Sequence, residues 1–269
     1  MMRSIIFNGI PVSYSDTGEG NPIVLLHGYL ESGEVWQPLT ELLSREFRVI
    51  AADLPGHGRS GVAGGEHTME FLAGAVRAVI ADAGVDRVLM AGHSLGGYAT
   101  LALAELWPDL LSGYVLFHSH PHSDTAEAIE KRMREIAIVR AGKKNIMYPG
   151  NVSMMFSEEN LSAMPEALAR IKEIASGNPG EGIIALLNGM ISRPSRQPVV
   201  ESGRVPLLWI LGRGDLYFTP EMALRDIRLP ANARVVILEN SGHLGFIEET
   251  ERAAQLITDF ARRISWQKQ

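Results

Sequence analysis

The feature that most restricts the fold of this chain is a serine flanked by glycines, set between a buried strand and a helix. Residues 88–91 are uniformly apolar, and residues 98–106 carry apolar side chains at helical spacing. Between them, Gly92-His-Ser-Leu-Gly96 centres a G-x-S-x-G motif on Ser94. A strand that passes directly into a helix turns sharply, pushes the central side chain outward and requires glycine at positions 92 and 96. The free N–H groups at the start of the helix favour negative charge that develops beside Ser94.

Strands and helices alternate along most of the chain. An opening hairpin is predicted over residues 4–7 and 12–15, because an Asn-Gly pair between two short strand-like segments is typical of a tight turn. The alternation predicts an α/β fold, with a mostly parallel eight-stranded sheet and helices on both faces. The further predicted strands cover residues 22–26, 47–52, 88–91, 113–117, 205–211 and 234–238, and the predicted helices cover 33–44, 68–82, 98–106 and 246–264.

The alternation stops in the middle of the chain. We expect one α/β domain made of residues 1–120 and 201–269, with residues 121–200 inserted as a helical cap. Six of the eleven methionines lie in the inserted region, and methionine suits a surface that adapts to apolar ligands as well as ordinary helix packing. The helical patterns of this region lie near residues 124–140, 151–156, 165–176 and 180–191, with no convincing strand between them.

Two further polar residues lie in loops after the last predicted strands. Asp215 follows strand 205–211, and His243 follows strand 234–238. The carboxyl ends of parallel strands share one edge of the sheet, so Ser94, Asp215 and His243 are expected to meet there. A serine hydroxyl becomes a nucleophile when a neighbouring base takes its proton, and that base needs a carboxylate to orient it. The order Ser–Asp–His along the chain matches the order expected with a G-x-S-x-G turn.

Five motifs together resemble those of the α/β-hydrolase superfamily, in its serine-nucleophile branch with a helical cap, which includes carboxylesterase-like enzymes. The resemblance extends over nearly the whole chain. One departure is that Glu248-Glu-Thr250 lacks a proline that the family often has there. The matching segments are His27-Gly28-Tyr29 with Trp36, Asp53-Leu-Pro-Gly-His-Gly-Arg-Ser60, Gly92-His-Ser-Leu-Gly-Gly97, Gly212-Arg-Gly-Asp215 with Pro220, and Gly242-His243.

The resemblance implies a role for each residue at this edge of the sheet. Ser94 is the expected nucleophile, His243 the expected general base and acid, and Asp215 the residue that orients His243. The backbone N–H groups of Tyr29 and Leu95 are the expected oxyanion hole. No bound cofactor is expected.

The loop before the predicted cap carries an unusual run, His118-Ser-His-Pro-His122. Alternate residues of an extended segment share a face, so His118 and His120 could converge on a metal, with Asp124 as the nearest carboxylate. Their position beside the expected pocket favours a polar lining instead, and we predict no metal site. Some family members take the acid of the triad from this loop, which makes Asp124 an alternative to Asp215.

Two histidines lie inside the family motifs themselves. By the resemblance, His27 is expected to hydrogen bond the loop backbone and hold Tyr29 in place, and His93 is expected to pack against the same loop. The predicted substrate-pocket residues are therefore His27, His93, His118 and His120. A role for His122 stays open.

Composition argues against several other classes of function. The formal net charge of −6 and the pI near 5.8 disfavour a nucleic-acid partner. Cysteine is absent, so the chain has neither a thiolate nucleophile nor a disulfide framework. The first apolar run is too short for a signal peptide, and no stretch reaches the length of a transmembrane helix. We therefore expect a cytoplasmic protein without membrane insertion.

The expected reaction is hydrolysis of a small or medium acyl substrate through an acyl-enzyme on Ser94, with a carboxylic ester as the leading candidate. Family members with the same residues also cleave carbon–carbon bonds of diketones, hydrolyse lactones or amides, or carry out perhydrolysis. Serine in the motif disfavours the relatives that use aspartate there, such as haloalkane dehalogenases and epoxide hydrolases. A ligand-binding protein that has lost turnover is a third alternative. The natural substrate, the oligomeric state and the mobility of the cap stay open.

Overall fold

The computed structural model describes residues 1–266, whose strands form a single eight-stranded sheet. The strands are β1 (Met2–Phe7), β2 (Ile10–Thr17), β3 (Pro22–Leu26), β4 (Arg48–Ala52), β5 (Val88–His93), β6 (Leu111–Phe117), β7 (Leu207–Gly212) and β8 (Ala233–Leu238). They lie in the order β1-β2-β4-β3-β5-β6-β7-β8. The pairs β1–β2 and β2–β4 are antiparallel and the other five pairs are parallel. The predicted fold class is confirmed.

The opening hairpin forms as predicted, with Asn8 and Gly9 at its turn. Their φ angles are 47° and 81°, in the left-handed region that asparagine and glycine adopt at low cost. The register pairs Phe7 with Ile10 directly across this two-residue turn.

Three helices accompany the first strands, and the core lies around the central strands. Strands β5, β6 and β7 are buried along their whole length, as parallel strands covered on both faces should be. The third helix follows β5 directly, and its residues 95–104 are all buried. The helices are α1 (Gln37–Leu43), α2 (Met69–Asp82) and α3 (Leu95–Leu106), with short 3-10 helices at Gly33–Trp36 and Pro108–Leu110.

Six helices fill the chain between β6 and β7, and no strand lies among the described residues of this stretch. We call residues 121–200 the insertion. Pro149 lies inside one of its helices, which therefore begins earlier than the predicted 151–156. Two short helices, at Glu158–Ala163 and Gln197–Glu201, were not predicted. The six are α4 (Ala126–Arg140), α5 (Lys144–Ser153), α6 (Glu158–Ala163), α7 (Pro165–Gly177), α8 (Gly180–Ser192) and α9 (Gln197–Glu201).

Two helices follow β8 in the described residues, so the prediction of one continuous helix over residues 246–264 is wrong. The helix is interrupted at Glu249, whose backbone has φ −131° and ψ 53°. The Glu249 carboxylate accepts hydrogen bonds from the Asn240 N–H at 3.0 Å and the Ser241 hydroxyl at 2.7 Å. No helix in residues 1–266 combines the length and apolar character needed to cross a membrane. The helices after β7 are α10 (Pro220–Leu224), which was not predicted, α11 (Gly245–Glu248) and α12 (Thr250–Ala261).

Candidate active site

Ser94 lies at the sharp turn between β5 and α3, with backbone angles φ 48° and ψ −111°. A positive φ is costly for a residue with a side chain, so the surrounding structure must hold it. The Ser94 N–H donates to the Phe117 carbonyl at the end of β6, at 3.0 Å. A Cβ on Gly92 would overlap the Gly96 carbonyl, and a Cβ on Gly96 would overlap the Leu26 carbonyl. The turn therefore requires both glycines of the motif.

His243 and Asp215 form a buried hydrogen-bonded pair, with Nδ1 of His243 2.7 Å from Oδ2 of Asp215. The other carboxylate oxygen, Oδ1, accepts hydrogen bonds from the backbone N–H groups of Tyr217 at 2.8 Å and Phe218 at 3.3 Å. Burial disfavours the charged form, but His243 and His118 beside the carboxylate hold the pKa of Asp215 well below its usual range. Asp215 is therefore an anion that keeps a proton on Nδ1 of His243.

A second histidine, His118, faces the same carboxylate. Its Nδ1 lies 3.5 Å from Oδ2 of Asp215, and its Nε2 accepts a hydrogen bond from the Gly245 N–H at 3.2 Å. Because Nε2 offers its lone pair to that N–H, the neutral ring carries its proton on Nδ1, toward Asp215. The ring is fully buried, and burial lowers the pKa of His118 to about 4. His118 is therefore neutral at pH 7.

The backbone around His118 is shaped to fit this ring. His118 has a φ of 44°, and a Cβ on Gly212 or Gly245 would lie 2.7 Å or 2.5 Å from ring atoms. Sequence analysis expected His118 in the pocket lining and missed its contact with Asp215. The available signal was its position as the first polar residue after the buried strand β6.

The backbone N–H of Tyr29 lies between two N–H groups that are already hydrogen bonded. The Gly28 N–H donates to Glu31 at 2.6 Å, and the Leu30 N–H donates to Nε2 of His57 at 2.9 Å. The Tyr29 N–H has no acceptor within residues 1–266. It is therefore available to a further acceptor.

The N–H of Leu95 is the first of helix α3 and has no partner within that helix. Gly96 packs against the carbonyl groups of Leu26 and His27, which brings the loop that contains Tyr29 onto the start of α3. The two N–H groups expected to form an oxyanion hole thus lie on neighbouring segments.

Two histidines support this region from within the protein. His27 is fully buried and accepts a hydrogen bond from the Leu54 N–H at 2.9 Å. Its other ring nitrogen lies 2.8 Å from the Gly28 carbonyl, so it does bond the loop backbone. His93 contacts both sides of the site: its Nδ1 lies 3.0 Å from the Glu31 carboxylate, and its Nε2 lies 2.8 Å from the His243 carbonyl.

The buried acid Glu31 was missed by sequence analysis. Burial disfavours its charge, but the neighbouring His93 and the Gly28 N–H hold the pKa of Glu31 below its usual range. No sequence pattern marks this glutamate, because its partner lies 62 residues away along the chain.

Asp124, the alternative acid, is bound to two arginines. Its Oδ2 lies 2.5 Å from Nε of Arg132, and its Oδ1 lies 2.7 Å from Nη1 of Arg193. Asp215 already occupies Nδ1 of His243. His243 is therefore paired with Asp215, and Asp124 is paired with Arg132 and Arg193 instead.

The side chains of Ser94 and His243 border one cavity of about 260 Å³. Of the four predicted pocket histidines, His93 and His120 line this cavity, whereas His27 and His118 are buried outside its lining. The insertion contributes charged side chains as well as apolar ones. The other lining residues include Tyr29, Tyr98, His122, Asp124, Lys131, Arg132, Glu135, Asn151, Met155, Met190, Tyr217, Phe218, Met222 and Arg225.

Three side chains of the site are close enough to hold a metal ion together. One ligand atom each of His118, Asp215 and His243 lies within 4.8 Å of the others. Both imidazoles turn Nδ1 toward the carboxylate, so protons occupy the positions that a metal would take. His120, which the sequence paired with His118 as a possible ligand, instead contacts the Tyr98 hydroxyl at 3.2 Å.

Comparison with known proteins agrees with this architecture. A thermophilic esterase from Thermogutta terrifontis, in a structure with malate bound, is 30% identical, with a TM-score of 0.91 and coverage of 98% of both chains. The enol-lactonase from Burkholderia xenovorans LB400 is 25% identical, with a TM-score of 0.89 over 97% of this chain and 100% of that one. An (E)-2-((N-methylformamido)methylene)succinate hydrolase from Acinetobacter baylyi is 24% identical over 92% of this chain and 93% of its own length.

The family model of the alpha/beta hydrolase fold matches residues 21–250, which contain β3 to β8, the insertion and the site. The sheet order, the turn at Ser94 and the His243–Asp215 pair all lie inside this match. The chain belongs to the alpha/beta hydrolase fold family.

Proposed function

We propose that this protein is a serine hydrolase that cleaves a carboxylic ester through an acyl-enzyme on Ser94. The observation that carries the proposal is that Ser94, at its strained turn, lines the same cavity as His243, which is hydrogen bonded to the buried Asp215. The similarity to a thermophilic esterase and to an (E)-2-((N-methylformamido)methylene)succinate hydrolase supports hydrolysis as the reaction.

In the first step, the Ser94 oxygen attacks the ester carbonyl carbon while Nε2 of His243 takes the hydroxyl proton. Asp215 holds the proton on Nδ1, which leaves the lone pair of Nε2 for the serine and stabilises the imidazolium that forms. The N–H groups of Tyr29 and Leu95 stabilise the negative charge on the carbonyl oxygen, and one such donor is worth about 10²–10³ in rate.

The tetrahedral intermediate then collapses. The carbon–oxygen bond to the alcohol breaks, and His243 gives its proton to the departing oxygen. Water that has lost a proton to His243 attacks the acyl-enzyme, the acid departs and the proton returns to Ser94. A lactone is an internal ester that needs the same steps, and the similarity to an enol-lactonase makes it the second candidate substrate.

We also assign residues 1–120 and 201–269 to the catalytic core and residues 121–200 to a cap. Support comes from the cavity lining, which combines Ser94 and His243 of the core with Asn151, Met155 and Met190 of the insertion. A small or medium acyl group would fit the cavity of about 260 Å³.

The test is hydrolysis of p-nitrophenyl esters from acetate to octanoate by the wild type, Ser94→Ala and Ser123→Ala. Ser123 is the matched control, because it is a serine of the same cavity outside the G-x-S-x-G motif. Ser94→Ala is expected to lower kcat by about 10⁴–10⁶, while Ser123→Ala keeps turnover.

A fluorophosphonate probe supplies the second readout. It is expected to label the wild type and Ser123→Ala, and not Ser94→Ala. Undiminished turnover by Ser94→Ala would contradict the proposal. Folded wild-type protein that neither hydrolyses these esters nor reacts with the probe would favour a ligand-binding protein.

A further inference from the structure

The insertion places one aspartate between two arginines in the cavity wall. Asp124 is 3% exposed and lies 2.5 Å from Nε of Arg132 and 2.7 Å from Nη1 of Arg193. Arg193 is 2% exposed and also donates to the carbonyl groups of Met190 at 2.8 Å and His122 at 3.2 Å. Arg193 alone would neutralise Asp124, so the cluster retains one positive charge.

Arg132 is the arginine of this cluster that faces the cavity. It belongs to the cavity lining, and 19% of its side chain is exposed. Its Nε and Nη2 donate to Asp124, whereas its Nη1 donates to no acceptor within residues 1–266. A guanidinium with free donors in a fixed plane binds a carboxylate strongly.

Glu135, which is also buried, offsets this charge within the buried wall, and the exposed Lys131 and Arg225 give the whole lining an excess of cations. Glu135 is the second carboxylate there, and both of its oxygens already accept hydrogen bonds from protein donors. Lys131 and Arg225 add two cations. Burial and the nearby Arg193 lower the pKa of His120 to about 3, so this imidazole stays neutral. Cationic side chains therefore outnumber carboxylates in the described lining.

We propose that the substrate carries a carboxylate in addition to its scissile ester, and that Arg132 binds this carboxylate. The substrate class is then the half-esters of short dicarboxylic acids. This inference rests on the proposed ester hydrolysis at Ser94. A substrate carboxylate gives the free Nη1 of Arg132 a charged acceptor, and it balances the excess of cations in the lining. A neutral ester offers that donor at most an uncharged acceptor, which lowers the kcat/KM of the neutral ester.

The test compares kcat/KM for monoethyl succinate with that for ethyl 4-oxopentanoate, a neutral ester of the same length. The wild type is expected to prefer monoethyl succinate by about 10- to 100-fold, the range for a hydrogen bond to a charged group. Arg132→Met is expected to lose most of this preference. Arg132→Lys should keep part of it, because lysine retains the charge without the planar fork.

Arg134→Met is the matched control, because Arg134 lies on the same helix, is 65% exposed and pairs with Glu130 outside the cavity. Arg134→Met should prefer monoethyl succinate over ethyl 4-oxopentanoate by the same factor as the wild type. The ratio is taken within each variant, so a general loss of folded protein cancels. If Arg132→Met does not fold, the wild-type ratio decides: a wild type without preference for monoethyl succinate overturns the proposal, as does Arg132→Met with full preference.

Succinate itself gives a readout that does not depend on turnover. Succinate should raise the Tm of the wild type more than that of Arg132→Met, and neutral succinamide should raise neither. Equal shifts in both proteins would overturn the proposal. Succinate binding that depends on Arg132, in a protein that hydrolyses no ester, would support this site while contradicting the proposed function.

Discussion

Two fully buried histidines should make the folded protein lose stability in mild acid. His57 and His118 are inaccessible to solvent, and burial lowers their pKa values to about 3 and about 4. The unfolded chain protonates histidine at about pH 6.5. Below that pH the unfolded state binds more protons than the folded state, so the free energy of unfolding falls as the pH falls.

The size of the effect follows from the same values. At pH 5 the solution is about 1.5 units below the unfolded pKa and still above both folded values. At about 1.36 kcal/mol per unit, each histidine costs about 2 kcal/mol, and the pair costs about 4 kcal/mol. The total free energy of unfolding of a domain is about 5–15 kcal/mol, so this loss is a large part of it. Asp215 changes the free energy of unfolding little between pH 7.5 and pH 5. The unfolded chain protonates aspartate only near pH 4, and the pKa of Asp215 in the folded protein is lower still.

Urea unfolding at pH 7.5 and pH 5.0 measures this loss. His57→Gln is the informative variant, since a glutamine oxygen can accept the Leu30 N–H that donates to His57 at 2.9 Å, yet it does not titrate. The difference between the two pH values should shrink by about 2 kcal/mol in this variant. A wild-type difference below about 1 kcal/mol would refute the reasoning, because it would mean that these imidazoles protonate in the folded state.

Two further predictions concern the carboxylate at the site. Asp215→Asn should lower kcat by about 10³–10⁴, because the amide nitrogen would turn to Nδ1 of His243 and force the proton onto Nε2. Asp215→Glu, which keeps a carboxylate, should retain more activity. A kcat of Asp215→Asn equal to that of the wild type would contradict the role of Asp215. His118→Leu should lower kcat by about tenfold at unchanged KM, and His118→Asn, which can present an N–H in place of Nδ1, should recover part of the loss. Equal kcat values for the two His118 variants would show that the contact between Nδ1 of His118 and Asp215 does not matter.

The parts of this site that could be predicted are those that local sequence determines. A strand that runs straight into a helix leaves the chain one way to turn at Ser94, and the two flanking glycines show where the turn is. Asp215 and His243 follow buried strands, and parallel pairing brings such loops to one edge. Residue type and strand order therefore suffice to place these three side chains.

The parts that could not be predicted depend on contacts between distant segments. His118 faces Asp215 because its left-handed φ turns the ring into the space left by Gly212 and Gly245. The spacing of apolar residues along the sequence does not reveal such a space. Asp124 had two possible roles in the sequence, and only the packing of α4 and α8 places Arg132 and Arg193 on it.

The insertion also contacts the loop that carries His243, through backbone groups. The His243 N–H donates to the Met155 carbonyl at 2.6 Å, and the Ser157 N–H donates to Glu248 at 2.9 Å. A Cβ on Gly242 would lie 2.5 Å from the Ser157 nitrogen, so the two segments fit together only with glycine at 242. The glycine of the Gly242-His243 motif is thus explained by the insertion that packs on it.

A second contact joins the insertion to the loop that contains Tyr29. Asn178 accepts a hydrogen bond from the Gly58 N–H at 2.9 Å and donates to the Glu31 carbonyl at 3.3 Å. Since Glu31 in turn binds His93 and the Gly28 N–H, the insertion is linked to both sides of the site. Replacing the insertion with that of a relative should therefore change turnover as well as substrate preference, because the same segments that line the cavity also position the base and the candidate oxyanion hole.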